Sequence, residues 1–374
     1  MDRVHAYLNP AAFQQYLSRV AKYLALFVLV LNVRSLPFGW HVRVFGPLFH
    51  LRFRYLVFRL GLLLHPRKDK KAAKQKWLEN LSPIGENLFD KAIAYKAWAG
   101  LDDCDYNCHL SNSCYPKVLS QMLDAARLKA ALVYLPSFLR AGGWIALGAT
   151  HFQFLREIPI FSTYEIRMSF ASWDSKWIFL VIRFVTLPKK RQGGEKKAEV
   201  AYVPSTFADG PPFPNLHTPA SGTATPIPSK GPIPDAAAAM KAFAARTTEP
   251  DGAILNCICV NELVFKHGRI TVPPALVFAA DGLCGPAPPG EPAYSAENPP
   301  PHWAKVQEII HNGGVNAMTH LLRGGWKDVP EGERWWEQAL GGQIEERRAA
   351  NMELVYGVRR GMEGAREITP IMPV

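Results

Sequence analysis

The segment DDCDYNCHLSNSCY (102–115) gathers Asp103, Asp105, His109, Ser111, Asn112 and Tyr115 with three cysteines. A carboxylate placed just before a helix, as Asp105 is here, can orient a water as general base or attack an acyl carbon directly. The same residue type also makes Asx-turns and helix caps, so geometry has to separate the two roles. His109 could hold Asp105, contact a substrate or bond to the loop backbone. Asn112 reads as a cap that fixes the turn, with a second duty open to it at the reacting group. Tyr115 reads as a packing residue at the helix start whose hydroxyl can reach the same place. Cys104, Cys108, His109 and Cys114 supply four nitrogen and sulfur donors. Their C-x3-C-H-x4-C spacing has no second ligand half elsewhere, so no metal site is expected. A Cys–His nucleophile needs spatial geometry that adjacency in sequence does not provide.

These residues need elements to position them. KAIAYKAWAG (91–100) reads as a strand delivering the segment, and Leu119, Leu123, Ala126, Ala130 and Val133 recur at helical spacing over 115–135. After RAGG (140–143) the period changes to two. Residues 144–155, 164–174 and 176–187 read as strands, the last two joined by a tight turn at Asp174–Ser175. Tyr164, Ile166, Met168 and Phe170 share one apolar face. Residues 188–252, rich in Pro, Lys, Gly and Thr, read as a flexible insertion with a short helix at 235–246. Two more strands turn at His267–Gly268 in 253–272. A Pro-rich linker follows at 285–301, and the chain reads helical from His302. One long helix wrapped by a curled antiparallel sheet satisfies this order, an α+β architecture. His151, in the second strand, could face the pocket or play a structural part.

The net charge of +11 belongs to one end of the chain. Residues 1–76 carry 14 Lys and Arg against Asp2 and Asp69, leaving 29 basic and 30 acidic residues for 77–374. A neutral body without groove-reading motifs argues against a nucleic-acid partner. The leader is also apolar, in YLALFVLVLNV (23–33) and VFGPLFHLRFRYLVFRLGLLLH (44–65). Neither run reaches the roughly 20 uncharged residues of a simple membrane span. An anchor lying at the membrane surface through residues 1–65 is the expectation, with Arg52, Arg54 and Arg59 reaching phosphates. Helices packed on the body are the alternative, and a cleaved signal peptide is not expected. Six cysteines in 374 residues do not read as a disulfide framework.

Two blocks carry a family resemblance. D-x-D-x-x-x-H-x-x-N-x-x-Y, as Asp103, Asp105, His109, Asn112 and Tyr115, resembles the hotdog-fold thioesterases of the 4-hydroxybenzoyl-CoA type. It is most similar to the thioesterase-superfamily-member-six branch and fungal thioesterase-like proteins. The second block adds Tyr164-Glu165-Ile166-Arg167, Trp173-Asp174 and Arg183-Phe184-Val185. The resemblance covers about 88–187 and, more weakly, 253–280. It implies a hotdog domain over 77–284 containing the 188–252 insertion, between the leader 1–76 and a helical extension over 285–374. It further implies hydrolysis of acyl-CoA or acyl-carrier thioesters without metal or organic cofactor, a homodimer, and a setting in lipid or secondary metabolism. Asp105 matches the family's catalytic carboxylate. His109 and Asn112 accompany it, and Ser111, Tyr115 and Asp124 are candidates to line the substrate site. Two departures stand out: Ser111 occupies a family Asn position, and the Asp-x-x-Arg pair, Asp124 and Arg127, falls about one helical turn late. Those departures keep a non-catalytic acyl-binding or partner-binding module open.

Overall fold

The structure, a computed structural model, describes residues 10–31, 38–90, 92–118, 129, 131–187 and 247–364. The sheet forms where the two-residue alternation predicts it. Its strands are β1 (Ile93–Trp98), β2 (Gly143–Phe154), β3 (Thr163–Trp173), β4 (Trp177–Thr186), β5 (Ile254–His267) and the short β6 (Ile270–Thr271). All pairs are antiparallel, in the order β1-β3-β4-β5-β2, with β6 on the end of β5. Asp174 closes the β3–β4 hairpin, its carboxylate accepting the N–H groups of Lys176 and Trp177. At the β2 irregularity between Leu147 and Ala149 a Cβ on Gly148 would lie 2.2 Å from the ring of Trp177 of β4, so glycine leaves room for that ring.

One face of the sheet builds the core. Tyr164, Ile166 and Met168 of β3 join Ile182 and Phe184 of β4 and Cys257, Cys259, Leu263 and Phe265 of β5. The helical segment predicted over 115–135 appears as α4 (Cys114–Val118) and as helical residues 131–134. Positions 119–128, including Asp124 and Arg127, lie outside the described residues, as do the 188–246 part of the insertion and the helix expected at 235–246. A short helix α5 (Pro136–Arg140) follows. The chain rejoins the sheet earlier than composition suggested. Thr247 is buried, its carbonyl accepts the Leu255 N–H, and Asp251 pairs with Arg167.

Past the sheet lie α6 (Pro274–Ala280), α7 (Trp303–Leu322), α8 (Trp335–Ala339) and α9 (Gln343–Gly364). The helical run expected from Glu333 onward breaks between α8 and α9, where Gly342 adopts φ +62°. Trp303, Val306, Met318, Leu322, Trp336, Leu340 and Ile344 of these helices enter the same apolar cluster as the sheet. Helix α9 covers the outer face of β3. Arg348 donates to the Trp173 carbonyl at 2.6 Å, Asn351 donates to the Ala171 carbonyl at 2.8 Å, and Ser172 donates to the Arg348 carbonyl at 2.7 Å. The Ala171 carbonyl lies where β3 bulges between Phe170 and Ser172.

The leader forms α1 (Pro10–Leu31), α2 (Gly39–Gly61) and α3 (Arg67–Glu79). Among the described residues, no helix is long and apolar enough to cross a membrane. The architecture is α+β, and its antiparallel sheet with packed helices supports the hotdog expectation.

Candidate active site

The segment 103–111 is a small hairpin of its own. Asp105 N–H donates to the His109 carbonyl at 3.0 Å, and Ser111 N–H donates to the Asp103 carbonyl at 3.0 Å. The reversal needs a left-handed residue, and Cys108 takes it at φ +59°. The hairpin is then pinned to the chain after β2. Leu110 N–H donates to the Ile158 carbonyl at 2.8 Å, and Ile160 N–H donates to the Cys108 carbonyl at 2.9 Å. Residues far apart in sequence therefore share one wall.

That wall surrounds an open cavity of about 340 Å³ lined by the loop 105–112, Tyr115 and the stretch Phe154–Glu157. Asp105 satisfies both readings of its residue type. Its Oδ1 accepts the Asn107 N–H at 3.0 Å, an Asx-turn, while Oδ2 lies 3.6 Å from His109 Nδ1 and the side chain keeps 25% exposure. His109 Nδ1 also lies 3.2 Å from the Leu110 carbonyl, which can only accept. An N–H on Nδ1 would serve that carbonyl, and Nε2 faces Glu157 Oε1 at 3.5 Å. An imidazole is thus held between two carboxylates at the cavity wall.

The remaining predicted residues divide. Ser111 and Asn112 line the cavity, and the Ser111 hydroxyl is 2.9 Å from that of Ser113. Tyr115 is buried, its ring edge-on to Phe154 and Phe184 at 5.0 and 5.1 Å. Burial, reinforced by Cys257, Tyr164 and Glu157, drives its hydroxyl pKa upward, so it stays protonated. His151 turns to Glu262, 3.3 Å away, and is not part of the cavity lining. Cys104 is no nucleophile: burial, with Asp103 and Asp105 beside it, pushes its thiol up to about 11. Among the described residues, no group of His, Cys, Asp and Glu is arranged to hold a metal ion.

Sequence reasoning missed Phe154, Leu155, Arg156 and Glu157. It treated 144–155 as a strand and stopped, although Arg156-Glu157 before Ile158-Pro159 places a charged pair where a strand ends. At the helix start, Cys114 N–H already donates to the Ser111 carbonyl at 2.8 Å, and Pro116 has no N–H. Of the backbone N–H positions over 112–116 at the helix start, those two cannot serve a ligand.

The segment lies within a stretch that matches a known family. Residues 99–215 match the model of the Thioesterase-like superfamily. The chain is similar to the probable thioesterase atnL of Emericella nidulans, with 21% identity over 279 residues, 69% of this chain and 70% of the relative. It is also similar to the protein THEM6 of Danio rerio, with 28% identity over 105 residues, 28% of this chain and 50% of the relative. Among solved structures, the 4-hydroxybenzoyl CoA thioesterase from Pseudomonas sp. strain CBS-3 aligns over 50% of this chain and 98% of its own, at 12% identity and a TM-score of 0.29. The loop and the cavity thus lie within the stretch that matches the Thioesterase-like superfamily model, and the relatives that the chain resembles include thioesterases, which supports an acyl-thioester hydrolase.

Proposed function

We propose that this chain hydrolyses acyl thioesters of CoA or of an acyl carrier, with Asp105 as the reacting carboxylate. The observation that supports it best is that Asp105, although engaged in a turn, keeps one oxygen directed at His109 on the wall of an open cavity. The scissile carbonyl would lie over that oxygen, with the acyl chain along Leu110, Phe154 and Leu155. Asp105 either deprotonates a water that adds to the carbonyl or adds itself to give an anhydride that water then opens. Either way the C–S bond breaks and the sulfur leaves as a thiolate, which needs no strong acid because a thiol has a pKa of about 8.5. The N–H groups of Asn112 and Ser113, in the turn entering α4, are the candidate donors to the developing oxyanion. His109 stands between the two carboxylates, Nδ1 3.6 Å from Asp105 Oδ2 and Nε2 3.5 Å from Glu157 Oε1, where it can orient the reacting group. We place the reaction in lipid or secondary metabolism on the strength of the resemblance.

A pair of copies belongs to the same proposal. Strand β2 is an open sheet edge 12 residues long whose Trp144, Leu147 and Phe154 are exposed, an edge that a second copy would cover.

The full chain should release free thiol from acyl-CoA, and Asp105→Asn should lower kcat by about 100- to 10,000-fold at unchanged melting temperature. An unimpaired variant removes Asp105 from the chemistry. No release from any acyl chain by the parent protein would leave a binding module, a reading favoured by Ser111, whose hydroxyl is already engaged by Ser113. Label appearing in Asp105 after turnover in H2(18)O would establish the anhydride route, opened by water at the Asp105 carbonyl.

A further inference from the structure

We infer that α2 is a membrane-docking surface that lies in the plane of an anionic phospholipid leaflet, outer face down. This goes beyond the thioesterase reading and does not depend on it. Phe49, Phe53, Leu56, Val57, Leu60, Leu63 and Leu64 are all at least half exposed. Their spacing of three and four residues puts them on one stripe about 120° wide along α2 and its last turn. The opposite stripe, Leu51, Tyr55, Phe58 and Leu62, is the half-buried one. Tyr55 and Phe58 stack on Trp77 of α3 at 4.8 and 5.9 Å. The helix therefore already has a protein-facing side, and its second apolar side faces outward.

The charges identify what covers that side. Arg52 and Arg59 project along one border of the exposed stripe and Arg54 along the other, and all three are exposed. Neither α1 nor α2 contains an acidic residue, and α3 adds six basic residues against Asp69 and Glu79. An apolar stripe bordered on both sides by arginines matches a surface that is apolar below and phosphate-rich at its rim, with the guanidinium groups at headgroup level. A second copy of the same helix would set arginine against arginine.

Helix α1 supports the same orientation. Phe13, Leu17, Tyr23, Leu24, Phe27 and Val30 lie on several sides of it, and all are more than half exposed. The uncharged stretch from Tyr23 to Leu31 is about 14 Å long at about 1.5 Å per residue, close to half of a hydrocarbon core about 30 Å thick. It can enter one leaflet, whereas a span needs about twice that length.

The test is flotation of the full chain with phosphatidylcholine vesicles, with or without phosphatidylserine. Binding should be strong to the mixed vesicles and fall as salt rises. Replacing Arg52, Arg54 and Arg59 together by Gln should weaken it on the order of a hundredfold on the anionic vesicles. Replacing Phe53, Leu56 and Leu60 together by Ser should weaken it about tenfold or more on both compositions. Ala replacements of the same three residues provide a second set if the Ser variant melts early. Full binding by either apolar variant would overturn the inference. So would a parent chain that ignores vesicles and instead self-associates through α2.

Discussion

Asp105 and Asp281 are both carboxylates beside the start of a short helix, and the protein uses them in opposite ways. Asp281, at the end of α6, accepts the N–H groups of Ser137 and Phe138 at 2.6 and 3.2 Å and so caps α5 from across the core. It is fully buried, and burial pushes its pKa up to about 7 against the pull of those bonds and of Arg140. Asp105 accepts one N–H from its own turn and leaves the other oxygen on the cavity wall. Both Asp281 oxygens accept backbone N–H groups, whereas only one Asp105 oxygen does and the other faces His109 on the cavity wall. The number of orphan N–H groups within reach, more than the residue type, separates the two roles.

The sharpest way to break this contrast is to exchange the assays. Asp105→Asn should abolish most turnover and leave unfolding unchanged. Asp281→Ala should do the reverse, lowering stability by about 2–4 kcal/mol through two unbonded buried N–H groups while each folded molecule keeps its activity. Thermal melts and thiol-release rates on both variants decide it, and a stable Asp281→Ala protein would sink the capping role.

A second difference lies in pH. The folded pKa of Asp281, about 7, is above its ordinary 3.8. Between those values the folded protein retains a proton that the unfolded chain has lost. The stability from this group is therefore complete below about pH 4 and disappears as the pH climbs to about 7. Asp281→Asn has no such proton to lose. The melting temperature of the parent protein, relative to this variant, should thus be higher near about pH 5 than near about pH 8. An equal gap at both would refute the burial argument.

Smaller effects refine the site. Glu157→Gln keeps the shape but removes the charge facing His109 Nε2, and should cost turnover about tenfold with little change in KM. Cys104→Ser should change turnover less than about twofold, since a thiol raised to about 11 supplies no thiolate at neutral pH.

Much of this was legible in the sequence. The alternation of Tyr164, Ile166, Met168 and Phe170 placed β3 and its buried face, and the 103–115 motif coincides with the loop that lines the cavity. What the sequence hid are relations between distant segments. Glu157 and Phe154 join the site because backbone bonds from Leu110 and Ile160 stitch two loops together, and no local period records that pairing. The docking of α9 on β3 includes a bond to the Ala171 carbonyl at a bulge, which the alternation before it does not announce. The two apolar stripes of α2 were visible as composition alone, because only the position of Trp77 tells which one faces inward.

The covering of β3 by α9 has a consequence for how the molecule is made. About 190 residues separate the end of β3 at Trp173 from the end of α9 at Gly364. At a ribosomal pace of about 5–20 residues per second, the sheet would wait roughly 10–40 s for its outer layer to emerge. Through that interval Ala171 and Phe179 stand bare on the growing chain, a window in which a chaperone has something to hold.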